Sequence, residues 1–138
     1  MQDIFKVLEI DAPQEKVFEA LSTVEGIRSW WTTDARAEQT VGNIVQFGLN
    51  NHTLVMQMKV LELTAPTKLV WECLDQPEDW RGSKITFTLA PEDTATTLTF
   101  SQTNWKTEGD SAPYATQWEG YLNSLRAHLE TGTGTPQY

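Results

Sequence analysis

The chain predicts an α+β fold in which a curved antiparallel sheet wraps a long C-terminal helix, with two short helices after the first strand. Three observations carry this expectation. Asp11-Ala12-Pro13 opens a short helical stretch that runs on to Trp30-Trp31. A nearly unbroken series of alternating segments follows, from Asn43 to Ser101. Trp118, Tyr121, Leu122, Leu125 and Leu129 then fall on one stripe at helical spacing. A sheet with one apolar face and a helix with one apolar stripe bury them against each other, and a bent sheet over a helix tends to leave an apolar hollow.

Each element has its own local cause. Ile4 to Ile10 mixes apolar and polar residues in near alternation, as a strand with one covered face does. Pro13 sits in the first turn of the next helix, where its missing N–H costs nothing, and Val17, Leu21 and Val24 follow at helical spacing. Ser22-Thr23-Val24-Glu25 has the form of a capping box, which restarts a second helix carrying Ile27, Trp30 and Trp31. Gly42 and the Asn50-Asn51 turn bracket a strand over Asn43 to Leu49, and Thr53 to Leu63 returns as its hairpin partner. In that partner Leu54, Met56, Met58 and Val60 share the face expected to point inward.

After the Ala65-Pro66-Thr67 turn, Leu69, Trp71 and Cys73 alternate with polar neighbours, which points Trp71 inward. Asp75 to Gly82 reads as a polar loop with one large aromatic, Trp80. Ile85, Phe87 and Leu89 mark another half-buried strand, and Leu98 and Phe100 the last one, with Trp105 in the loop beyond. Asp110-Ser111-Ala112-Pro113 starts the closing helix and Gly132 ends it. One domain over residues 1–132 is expected, with 133–138 as a disordered tail.

Composition narrows the function. With 138 residues, 39% hydrophobic and 21% charged, the chain falls in the ordinary single-domain globular range, and no apolar run reaches the ~18 residues of a membrane span. A formal net charge of −9, with basic residues spread singly, argues against nucleic acid and against membrane insertion as partners. The start Met1-Gln2-Asp3-Ile4 lacks the pattern of a secretory signal, so a cytoplasmic location is expected, and the single Cys73 agrees with a reducing compartment.

The stretch Ala12 to Trp31, the segment Glu62-Leu63-Thr64-Ala65-Pro66-Thr67-Lys68-Leu69-Val70-Trp71 and the Trp118 to Leu129 helix together resemble the Activator of Hsp90 ATPase homologue 1-like family. That family is a branch of the START-like, Bet v 1-like superfamily, also called SRPBCC. The resemblance implies a helix-grip architecture of strand, two helices, six strands and a long C-terminal helix over a cavity that commonly takes hydrophobic small molecules. Periodicity alone finds one strand fewer; Asp34 to Gln39 is the segment that would supply it. Where members often carry paired glycines before the third strand, this chain has Val41-Gly42-Asn43, which predicts a less tight bend.

Six tryptophans suit either a pocket for a mostly apolar ligand or a packed core. Candidate lining residues are Trp31, Phe47, Met56, Met58, Trp71, Phe87, Trp118, Tyr121 and Leu122, with Trp105 at the rim and Tyr121 as polar anchor. Trp31 and Trp105 fall where loops could form a mouth. On this placement Trp118→Ala weakens ligand uptake and Trp80→Ala does not.

Other chemistry has weaker support. His52, in a turn, and His128, near a helix C-terminus, lack neighbouring ligands, so neither a metal nor a catalytic role is expected. Cys73 reads as a small buried hydrophobe. Glu78-Asp79 and Glu92-Asp93 read as turn charges, and the Asn51-His52-Thr53 acceptor sequence as an accident of a turn. Nucleotide-binding, hydrolase and zinc-protease motifs are absent, and no cofactor is expected. Three readings remain: a container for a small hydrophobic or amphipathic molecule, a chaperone-associated or other protein-interaction module with a packed interior, and a cyclase- or hydrolase-type enzyme.

Overall fold

The computed structural model describes residues 1–136. In chain order these form β1 (Ile4–Ile10), α1 (Gln14–Ser22), α2 (Val24–Trp30), β2 (Asp34–Arg36), β3 (Ile44–Leu49), β4 (Leu54–Thr64) and β5 (Lys68–Cys73). A 3-10 turn (Glu78–Trp80), β6 (Lys84–Glu92), β7 (Ala95–Thr103) and α3 (Ala112–Thr131) complete the fold. The strands make one curved antiparallel sheet in the order β1-β7-β6-β5-β4-β3-β2. The strand that periodicity left open is β2, which pairs Asp34 with Gly48 and Arg36 with Gln46 of β3.

Alternation along each strand delivers one apolar face to the interior. Met56, Met58 and Val60 of β4, Leu69 and Trp71 of β5, Ile85 and Phe87 of β6 and Leu98 and Phe100 of β7 are fully buried. Register lines them up, with Leu69 opposite Phe87 and Phe87 opposite Phe100. On β4 the pairing slips between Val60 and Glu62. Such a bulge bends a strand, and it falls where the apolar alternation Met56, Met58, Val60 changes phase to Leu61 and Leu63.

The helix starts differ from the expected capping box. Thr23, not Ser22, caps α2: its Oγ1 accepts from the Gly26 N–H at 2.9 Å, while the Ser22 hydroxyl donates to Phe18 O at 2.7 Å. The two helices cross tightly, because a Cβ at Gly26 would sit 2.6 Å from the Ala20 backbone. At α3 the Asp110 carboxylate accepts from the Ala112 N–H, Pro113 lies in the first turn, and Gly132 closes the end at φ +84°. Trp118, Leu122 and Leu125 carry the buried stripe. Beyond α3, the Thr135 N–H donates to Ser124 Oγ at 2.8 Å, and the Ser124 hydroxyl donates to Trp30 O. Of the tail expected to be disordered, residues 137–138 lie outside the described residues.

Candidate functional site

Between the sheet and α3 stands a continuous column of aromatic rings. Trp31 is at its centre, with ring centroids 4.9 Å from Phe47, 5.4 Å from Trp118, 5.7 Å from Tyr121 and 5.9 Å from Trp71. Trp71 meets Phe87 edge-on at 5.2 Å, and Trp118 lies 4.4 Å from Phe100. These are contact separations for aromatic pairs. Of the ten residues singled out from the sequence, Trp31, Phe47, Met56, Met58, Trp71, Phe87, Trp118 and Leu122 are buried. Trp31, expected near a mouth, is 1% exposed. Trp105 and Tyr121 are half-buried, and Trp105 stacks on Tyr114 rather than facing the column.

Burying an indole requires a partner for its N–H, and four of the six have one. Trp30 Nε1 donates to Ala20 O at 2.8 Å, Trp71 Nε1 to Gln39 Oε1 at 2.9 Å and Trp105 Nε1 to Gln102 O at 3.2 Å. Trp118 Nε1 donates to Gln102 Oε1 at 2.9 Å. The two glutamines are themselves held, Gln39 Nε2 by Leu21 O and Gln102 Nε2 by Ser83 Oγ. Sequence reasoning passed over both. Gln102 could have been found, since it continues the inward set Leu98, Phe100; Gln39 follows a short strand and carries no pattern. Trp31 Nε1 and Trp80 Nε1 are buried without a hydrogen-bond partner among the described residues. Leaving such a donor unsatisfied costs about 1–3 kcal/mol.

One of these two residues, Trp80, borders a cleft. At the end of the column a cleft of about 180 Å³ is lined by Leu49 and Asn50 of the β3–β4 hairpin, Leu54 and Met56 of β4, Pro77 and Trp80 of the 3-10 turn, and Tyr114, Gln117 and Tyr121 of α3. Met56 and Tyr121 are the two sequence-selected residues that reach it. Trp80, the one large aromatic of the polar loop, is 1% exposed and stacks on Trp118, centroids 5.7 Å apart. The contrast expected between Trp118→Ala and Trp80→Ala treats the two rings as separate, whereas they share one stack and Trp80 borders the cleft.

Asp79 is more than a turn charge. Its Oδ2 accepts from the Tyr114 hydroxyl at 2.7 Å and its carbonyl from the Thr107 hydroxyl at 2.9 Å, which fastens the turn bearing Trp80 to α3. This bond to a carboxylate, helped by burial, pushes the Tyr114 phenol up to about 12.

Elsewhere the titratable groups are structural. Burial, with Asp75 adding to it, pushes the Cys73 thiol up to about 12, far from a reactive thiolate. Asp34 receives Arg36 Nε at 2.7 Å and lies 2.7 Å from His52 Nδ1, tying β2 to the β3–β4 turn. A Cβ at Gly48 would overlap that carboxylate. Among the described residues no three His, Cys, Asp or Glu side chains gather as metal ligands, and no helix is long and apolar enough to cross a membrane.

A seven-stranded sheet gripping a C-terminal helix, with an aromatic interior and a cleft at one end, defines a helix-grip protein, a class that commonly binds hydrophobic ligands. The chain belongs to the family described as Activator of Hsp90 ATPase homolog 1-like protein, whose sequence model matches residues 11–130. Its fold is similar to the solution structure of the Aha1 dimer from Colwellia psychrerythraea, at 32% identity over 97% of this chain and 100% of that one, TM-score 0.87. A Bacillus halodurans protein is 25% identical over 94% of this chain and 98% of its own, TM-score 0.73. CalU16 from Micromonospora echinospora, 19% identical over 96% of this chain and 76% of its own with TM-score 0.76, shares the fold. A comparison with curated proteins finds no match.

Proposed function

We propose that the protein binds a compact amphipathic molecule in the cleft at the end of the aromatic column, with an oxygen acceptor of the ligand taken by the Trp80 indole N–H. The observation that carries this reading is the contrast among the buried indoles: Trp118 and Trp71 have dedicated glutamine acceptors, while Trp80, bordering the cleft, has none among the described residues. A ligand carbonyl, ether or hydroxyl supplies the missing partner, and Leu49, Leu54 and Met56 supply apolar cover.

Size sets the ligand class. About 180 Å³ is less than the roughly 300–1,000 Å³ of ordinary ligand pockets, and the column above it is occupied by touching rings. That favours a bicyclic or similarly compact molecule over a long acyl chain. The aromatic residues first chosen as lining then act as the rigid wall behind the cleft, with Met56 and Tyr121 at its surface.

The test is quenching of tryptophan fluorescence by 1-indanone, a compact ketone, in parallel with palmitate. The ketone is expected to bind and palmitate not to. Leu54→Phe, which narrows the cleft, is expected to weaken the ketone at least about fivefold, roughly 1 kcal/mol. Equal binding by wild type and Leu54→Phe, or no binding of the ketone, contradicts the proposal; uptake of palmitate instead restores the larger internal cavity.

A further inference from the structure

A margin of the sheet that contributes no residue to the cleft lining carries a separate feature. β1 lies at one margin of the sheet and, among the described residues, pairs along Ile4–Ile10 with β7 alone, so its other edge presents unpaired backbone groups. Exposed edges are normally blunted by prolines, bulges, charged side chains or short length. The opposite margin fits that rule, since β2 has three residues, Asp34–Arg36, two of them charged. β1 is less guarded: it carries Lys6 and Glu9, but its seven residues include no proline, its register with β7 is unbroken, and Phe5 and Val7 project outward at 66% and 69% exposure.

We infer that β1 is a self-association surface, on which a second copy of this chain adds its own β1 antiparallel across a two-fold axis through Val7. The chemistry selects both the occupant and the register. Residues facing each other across an antiparallel pair point to the same side of the sheet, so the axis passes through a residue. An axis at Lys6 would set two ammonium groups against each other. An axis at Val7 overlaps the whole of Ile4–Ile10 with its copy, places Val7 on Val7, and lays each Phe5 diagonal to the other Val7.

Charge follows the same symmetry. α3 runs in the direction of β1, with Lys6 beside Glu119 and the Asp11 N–H donating to Glu130. Glu119 and Arg126 stand at the two ends of the open groove between β1 and α3, where Val7 lies between Lys6 and Leu8. A two-fold axis perpendicular to the sheet at Val7 keeps both α3 helices on one face and reverses one of them. The Glu119 of each copy then approaches the Arg126 of the other, twice per dimer, and the surface is complementary to itself.

Sedimentation velocity of the full chain across a concentration series tests this. Wild type is expected to form a reversible dimer. Val7→Lys, which brings two cations to the axis, is expected to remain monomeric with an unchanged circular dichroism spectrum. Glu119→Arg and Arg126→Glu are each expected to weaken the dimer about tenfold, and the double exchange to restore it. A monomeric wild type, dimerisation of Val7→Lys at wild-type strength, or failure of the double exchange to restore affinity overturns the inference. Amide exchange on wild type decides the matter without any variant: Ile4–Ile10 should gain protection as concentration rises, and unchanged exchange there contradicts the interface.

Discussion

Trp80 and Trp118 lie face to face, ring centroids 5.7 Å apart and planes 19° from parallel, yet their N–H groups meet opposite fates. Trp118 donates to Gln102 Oε1 at 2.9 Å; Trp80 donates to nothing among the described residues. Two indoles in one stack thus differ in a property that packing alone would treat alike.

The Gln102 side chain joins Trp118 to Ser83, whose hydroxyl donates to Trp80 O at 2.6 Å. Gln102→Leu strands the Trp118 N–H and removes the amide donor to Ser83, so it should destabilise the fold by about 2 kcal/mol or more in urea unfolding. Gln102→Glu keeps an acceptor for Trp118 but buries a charge, and should also destabilise. A Gln102→Leu variant as stable as wild type would show that the network carries no net energy.

Tyr114→Phe removes the donor to Asp79 and should cost about 1 kcal/mol while loosening the turn that bears Trp80. Its signature is optical. The phenol held up to about 12 by Asp79 gives wild type a late tyrosine ionisation in alkaline difference spectra, and the variant should lose that late step.

Cys73, with its thiol pushed up to about 12 and its side chain 1% exposed, should resist iodoacetamide in the folded protein at pH 8 and react fully once unfolded. Fast labelling of native protein would mean that β5 opens far more readily than its fully paired position in the sheet implies.

The Arg36 hydrogen bonds hold the Asp34 carboxyl below its ordinary value, with burial opposing and His52 adding to the effect. A depressed carboxylate contributes stability that is complete above the unfolded-state value and is lost as pH falls through the folded-state one. Wild type should therefore melt above Asp34→Asn at neutral pH, with the gap closing below about pH 4. A gap that widens in acid would reverse the sign.

Period-2 alternation made β4 to β7 legible because their inner faces are continuous apolar rows, as Leu69, Phe87 and Phe100 show. The caps of α3 were legible for the same local reason, with Pro113 at its start and Gly132 at its end. The burial of Trp80 was not legible because its neighbours Glu78, Asp79 and Arg81 are charged, while that burial depends on stacking with Trp118, 38 positions away in the chain. The cleft was invisible for a related reason. It exists where a hairpin end, a short turn and one helix meet, and no stretch of sequence encodes that meeting. Gln39 and Gln102 matter only because particular indoles land beside them.

The most direct test follows the six indole N–H resonances by proton–nitrogen correlation spectroscopy while 1-indanone is added, the Trp80 signal being assigned by its loss in Trp80→Phe. The Trp80 proton should move downfield as it gains the ketone oxygen, the paired Trp118 and Trp71 protons should stay nearly fixed, and indane, which lacks the oxygen, should leave Trp80 in place. A Trp80 resonance indifferent to the ketone, or equally responsive to indane, would contradict the assignment of this cleft as an acceptor-binding site.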